Sequence, residues 1–221
     1  MTVASVLPVF GSSRGMCYYP YMPSSGEEKA WEILMGLDPS TISANGKVSY
    51  DRAAGVYRVK SFGSVFLVDP KERIIRSNDE PGQNVLRKFG YFAVHSCLWY
   101  LIHVKDIPLT GRLVKPADLR GGDLFFRGTH ALPLDNLSGR YSRDGGTFLR
   151  KGREFGGEPG DYGDASVRLS PLPRIPVTIV LWLEDEEFPA RADLMFDSSA
   201  GLQLPIDVLW SLAMLSIMVM L

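Results

Sequence analysis

The stretch Leu172-Pro173-Arg174-Ile175-Pro176-Val177-Thr178-Ile179-Val180-Leu181-Trp182-Leu183 decides the fold. From Val177 onward it is apolar except for Thr178 and rich in β-branched residues. It is too short for a core helix and reads as a strand buried on both faces. Such a strand lies inside a sheet and needs a neighbour on each side. Ala165–Leu169 upstream and Asp193–Asp197 downstream supply them. The intervening turn, Glu184-Asp185-Glu186-Glu187-Phe188-Pro189, is polar and ends on a proline, as a connection between antiparallel strands does.

Farther upstream, the runs Gly46–Tyr50, Gly55–Val59, Ser64–Val68 and Arg73–Arg76 are short, β-rich and separated by tight Gly- or Pro-containing turns. They predict antiparallel hairpins. The period then changes. Val85, Leu86, Phe89, Ala93, Cys97, Leu101 and Val104 recur every three or four residues and predict a long helix, apolar all round in its second half and so covered on both sides. A first helix is expected from Ser25, with Ser25 as cap, Glu27 and Glu28 at its positive end, and Asp38-Pro39 as its stop. Pro205 and Asp207 suit the opening of a last helix through the charge-free stretch to Leu221. Residues 105–164 are loop-rich, with short helices expected at Pro116–Arg120, Pro133–Tyr141 and Gly146–Phe155. The expectation is α+β: antiparallel sheet packed against a long central helix and a C-terminal apolar helix. Residues 25–221 form one domain in this reading, and residues 1–24 an extension, loosely ordered or packed on a partner.

Composition excludes some classes. A chain 45% hydrophobic and 22% charged is not a disordered one. A net charge of -1 gives no global attraction to nucleic acid. The charge is uneven, at +4 over residues 105–154 and -7 over 155–221, so those parts can attract each other within the fold. Cys17 and Cys97 are too few for an iron–sulfur cluster, and no cofactor is expected within the chain. The cysteine usage and the absence of a basic leader point to the cytoplasm. Tyr91–Val104 and Val208–Leu221 are apolar but shorter than the roughly 20 residues of a membrane span.

The candidate ligand site is acidic. Asp185 and Glu187 follow the buried strand and Asp197 closes the next, so pairing of the two strands sets these carboxylates at opposite ends of one hairpin. Neighbouring carboxylates shift one another's pKa and can hold a cation, an amine or a proton. The competing reading is a solvated turn with one acid paired to Arg174 or Arg191. Asp161 and Asp164 in the Gly-rich stretch 156–164 complete the set, with Arg174 as the orienting cation. His95, His103 and His130 are the histidines, and His95 and His103 can share one broad helix face.

The quoted stretch, with Asp185-Glu186-Glu187-Phe188-Pro189-Ala190, Leu194-Met195-Phe196-Asp197-Ser198-Ser199-Ala200 and Leu204-Pro205, resembles the C-terminal signature of the DUF3786 family. Ala30-Trp31-Glu32, Leu37-Asp38-Pro39, Tyr50-Asp51 and Gly156-Gly157 extend the resemblance over about residues 27–221. It implies an uncharacterised protein of anaerobic bacteria or archaea, and it draws attention to Arg174, Asp185, Glu187 and Asp197. Because some relatives are joined to iron–sulfur domains, it also implies an indirect association with an iron–sulfur partner. Three functions follow as expectations. The first is a binding or accessory domain near anaerobic redox or cofactor metabolism, able to self-associate. The second is an enzyme using Asp185, Glu187 and Asp197 for acid–base or divalent-cation chemistry. The third is a membrane-peripheral protein held by its last helix.

Overall fold

The computed structural model describes residues 25–221. The expectation for the 1–24 extension lies outside the described residues. The architecture is α+β and antiparallel, as the sequence predicts, with the strands divided between two sheets. The first is a meander of β1 (Ser49–Asp51), β2 (Val56–Ser61), β3 (Ser64–Asp69) and β4 (Ile74–Ser77) in sequence order. The second contains β5 (Leu113–Val114), β6 (Glu158–Gly160), β7 (Ala165–Leu172), β8 (Ile175–Trp182) and β9 (Arg191–Asp197), in the order β5-β9-β8-β7-β6. β8 is central, and every residue from Ile175 to Leu181 is buried. That is why its sequence shows no alternation.

The helices are α1 (Ser25–Gly36), α2 (Pro39–Gly46), α3 (Glu80–His103), α4 (Gly122–Phe125), α5 (Leu134–Arg140), α6 (Gly145–Glu154), α7 (Ala200–Gln203) and α8 (Ile206–Met220), with 3-10 turns at Pro116–Asp118 and Gly128–His130. Asp38-Pro39 does more than end α1. The Asp38 carboxylate accepts from the Ser40 and Thr41 amides at 3.4 and 3.0 Å, and Pro39 occupies the first turn, so the same pair starts α2. The Ser40 and Thr41 hydroxyls also hold the Asp38 carboxyl at about 2, well below its ordinary value.

The long helix α3 is kinked at Phe89, where φ is -129° and ψ 28°. It packs against α8 and α1, and one contiguous core joins it to both sheets. Trp31, Tyr57, Phe62, Phe66, Tyr100, Phe148 and Phe196 are its bulkiest fully buried members. The apolar length of α8 is absorbed here. Val208, Leu209, Leu212, Ala213, Leu215, Ile217 and Met220 are all buried in this core, which leaves that face unavailable as a membrane anchor. Among the described residues no helix is long and apolar enough to cross a membrane.

The two sheets meet at backbone. The Phe62 amide donates to the Ser170 carbonyl at 3.0 Å. Beside that bond Gly63 and Gly156 press so closely that a Cβ on Gly156 would lie 2.8 Å from the Gly63 Cα. Both glycines also have left-handed φ, at +77° and +66°.

Charge attraction between the middle and the last third of the chain is visible as two ion pairs. Lys115 meets Asp193 at 3.2 Å, and Arg143 meets Glu184.

Candidate functional site

The register of β8 on β9 pairs Trp182 with Arg191 and Val177 with Phe196. Asp197 therefore lies at the opposite end of the hairpin from the acidic turn, about 20 Å away for six residues of strand. The candidate residues divide accordingly. Asp161, Asp164, Asp185 and Glu187 gather around the turn end, while Arg174 and Asp197 share the other end.

At the turn end the acids shape backbone. Asp185 Oδ1 accepts from the Glu187 and Phe188 amides at 2.8 and 2.7 Å, and these bonds, Phe188's first, hold its pKa below the usual value. Asp164 accepts the Leu183 amide at 2.8 Å and so closes the end of β8. Glu187 and Asp161 are exposed. The acid that carries an ion pair is Glu184, and its partner is Arg143 rather than Arg174 or Arg191. The hydrogen bond from Arg143 is also what lowers the Glu184 pKa. Arg191 instead lies 4.0 Å over the Trp182 ring. A groove of about 370 Å³ runs between Arg143, Leu183, Glu184, Asp185 and Glu186.

At the other end the two candidates are buried and occupied. Arg174, 6% exposed, donates Nε to the Asn45 carbonyl, Nη1 to the Ile107 carbonyl at 3.3 Å, and pairs through Nη2 with Asp106. Asp197, 4% exposed, accepts from the Thr110 amide at 3.1 Å, the Thr110 hydroxyl at 3.0 Å and the Gly111 amide at 2.8 Å. It accepts again from the Ser199 amide and hydroxyl at 2.9 and 2.6 Å. Burial alone pushes an acid's pKa up. The bonds from Ser199, Thr110 and Gly111 outweigh it and hold Asp197 at about 2. Gln203 adds a third grip, accepting the Lys105 amide at 2.9 Å and donating to the Ile107 carbonyl at 3.1 Å. Together these side chains fasten the irregular segment 105–111, which then enters β5 against Phe196 and Asp197.

Directly after the fastened segment, residues 112–114 and 118–120 form one wall of a cleft of about 640 Å³. Its lining is Arg112, Leu113, Val114, Asp118, Leu119, Arg120, Ser198, Gly201 and Leu202. That volume lies within the range of small-molecule sites. Leu202 is 60% exposed, an apolar surface left open at the rim. Arg120 is set by a tight return of the chain. The Gly122 amide donates to the Leu119 carbonyl at 2.8 Å, and a Cβ at Gly122 would fall 2.0 Å from the Pro116 carbonyl oxygen. Only glycine fits there.

Sequence reasoning missed Arg112, Arg120, Ser198 and Gly201. The available signals were the Gly121-Gly122 pair behind Arg120 and the positive charge of 105–154. Nothing in the sequence joins that segment to Ser198, whose amide donates to the Arg112 carbonyl across 86 positions of chain. Among the described residues no group of three or more His, Cys, Asp or Glu is placed to hold a metal ion.

The family model described as "Domain of unknown function (DUF3786)" matches residues 38–218. No curated protein and no solved structure matches the chain.

Proposed function

The chain belongs to the DUF3786 family, and from that premise we propose that it is a binding domain whose ligand site is the cleft between residues 112–120 and 198–202. The observation that carries this reading is the bracing of the cleft. A buried carboxylate with five hydrogen bonds, Asp197, and a buried guanidinium, Arg174, hold in one shape the irregular segment 105–111, from which the cleft wall starts at Arg112. A site preorganised in this way loses less entropy when a ligand enters. Arg174 and Asp197 thus support the site from behind and do not face the ligand.

The acid–base alternative asks Asp185, Glu187 and Asp197 to act together, and the length of β9 separates them. An accessory role beside an iron–sulfur partner, in redox or cofactor metabolism, draws on the family resemblance. Co-purification of such a protein with the chain under anaerobic conditions tests it.

The cleft itself is tested by plugging it. A Cβ at Gly201, which lines the cleft, first meets Leu119 at 3.5 Å, an ordinary contact, so Gly201→Phe can be introduced there to fill it. Small fragments titrated into labelled protein should shift the amide signals of Leu113, Val114, Ser198 and Gly201. The same fragments should leave Gly201→Phe unmoved. Fragments that bind both proteins alike would place the site elsewhere.

A further inference from the structure

We infer that the ligand of this cleft carries an oxyanion, a carboxylate or a phosphate, joined to a small apolar body, and that Arg112 and Arg120 read the charge. The inference rests on the cleft being the binding site and adds the chemistry of what enters it. Two guanidiniums line the cleft against one carboxylate, that of Asp118. Asp118 is partly used already, since it accepts the Lys115 amide at 3.2 Å.

The neighbouring cations are engaged. Lys115 pairs with Asp193 at 3.2 Å, and Lys105 Nζ donates to the Leu202 carbonyl at 3.2 Å. Among the described residues Arg112 and Arg120 have neither an ion pair nor a side-chain hydrogen bond. Their forked donors are open toward a shared space, and such forks match the paired oxygens of carboxylate and phosphate. The hydroxyl of Ser198, 2.8 Å from the Thr110 hydroxyl, adds a neutral polar group on the third side. Leu113, Val114, Leu119 and Leu202 leave the remaining lining apolar, so the cleft suits an amphiphilic small molecule better than a bare ion.

Three probes of one shape separate the possibilities: hexanoate, hexyl phosphate and hexan-1-ol. Each is titrated into the full labelled chain while the cleft amides and the Arg112 and Arg120 Nε–H signals are followed. At least one anion should bind about tenfold or more tighter than the alcohol, the size of one charge-assisted hydrogen bond. Arg112→Gln and Arg120→Gln should each weaken that anion about tenfold and leave the alcohol unchanged. Added salt should weaken the anion alone. The tighter of the two anions identifies the oxyanion. Both arginines are exposed, so neither substitution threatens folding. If the alcohol binds as tightly as the anions, or the Gln variants bind them normally, the charge inference falls and the cleft remains a binding site. If none of the three moves the cleft amides, the inference and the reading of the cleft fall together.

Discussion

Arg174 and Asp197 hold the same short piece of backbone from two sides. Arg174 takes the Ile107 carbonyl at 3.3 Å, and Asp197 takes the Thr110 and Gly111 amides at 3.1 and 2.8 Å. The backbone between these points is bound by charge-assisted bonds rather than by a sheet ladder. The course of the chain into the cleft wall at Arg112 therefore depends on two buried charges.

Asp197→Asn keeps the size of the side chain but exchanges one acceptor oxygen for a donor facing other donors. The cost should be about 2–3 kcal/mol, that of hydrogen bonds to a charged group. The acid dependence should change too. The folded pKa of about 2 lies below the ordinary 3.8, so this stabilisation is complete above the ordinary value and is lost as pH falls toward the folded one. Urea unfolding near neutral pH and in acid should show a loss of stability in the wild type that is smaller in the variant. Equal acid sensitivity in both would remove Asp197 from the account.

Arg174→Lys keeps the charge but cannot reach Asn45, Asp106 and Ile107 at once. It should destabilise the chain and loosen residues 105–111, seen as faster amide exchange there. Combined with Asp197→Asn it should be non-additive by about 0.5 kcal/mol or more, because both act on one segment. Strict additivity would show that the two grips are independent.

The same pair shows what a sequence can and cannot disclose. The hairpin of β8 and β9 was legible because a run such as Val177–Leu183 carries its burial in its own composition. Asp38-Pro39 was half legible. By itself it reads as a stop, and Ser40-Thr41 behind it completes a start. Arg174 and Asp197 stand out as polar residues beside buried strands, yet the backbone they fasten lies in residues 106–111, which have no period to read. Arg112 and Arg120 looked like other surface cations. Only the fold brings them to one cleft with Ser198.

Gly122→Ala tests the loop that sets Arg120. The added methyl would sit 2.0 Å from the Pro116 carbonyl oxygen, so the turn must open. A destabilisation of about 1–3 kcal/mol is expected, with weaker anion binding in the cleft. Gly139→Ala is the control, since nothing lies within 4 Å of its Cβ position. Similar effects from both would show that the 115–122 turn has room to spare.

Cys97 should be silent in the folded protein. It is 1% exposed, and burial pushes its thiol up to about 12. Iodoacetamide should therefore label it only at the rate of unfolding, and labelling should speed up in step with denaturant. Fast labelling in native buffer would mean that α3 opens locally.

A column of rings runs along α3. Tyr91 stacks on His95 with centroids 6.0 Å apart, and Trp99 stacks on His103 at 5.3 Å. Burial lowers the His95 pKa, and the nearby charges of Asp207 and then Glu27 offset it in part. His103 is lowered too, by burial and then by Lys105, again against Asp207. Both rings are easier to protonate in the unfolded chain than in the folded one. Their contribution to stability is then whole above the ordinary value of 6.5 and declines as pH falls below it. The denaturation midpoint should drop between about pH 7.5 and about pH 5.5, an interval in which few other side chains titrate. His95→Phe preserves an aromatic ring between Tyr91 and Trp99 but cannot take a proton, so it should reduce that drop. A midpoint that stays level in the wild type, or falls equally in the variant, would mean that protonating this column costs the fold nothing.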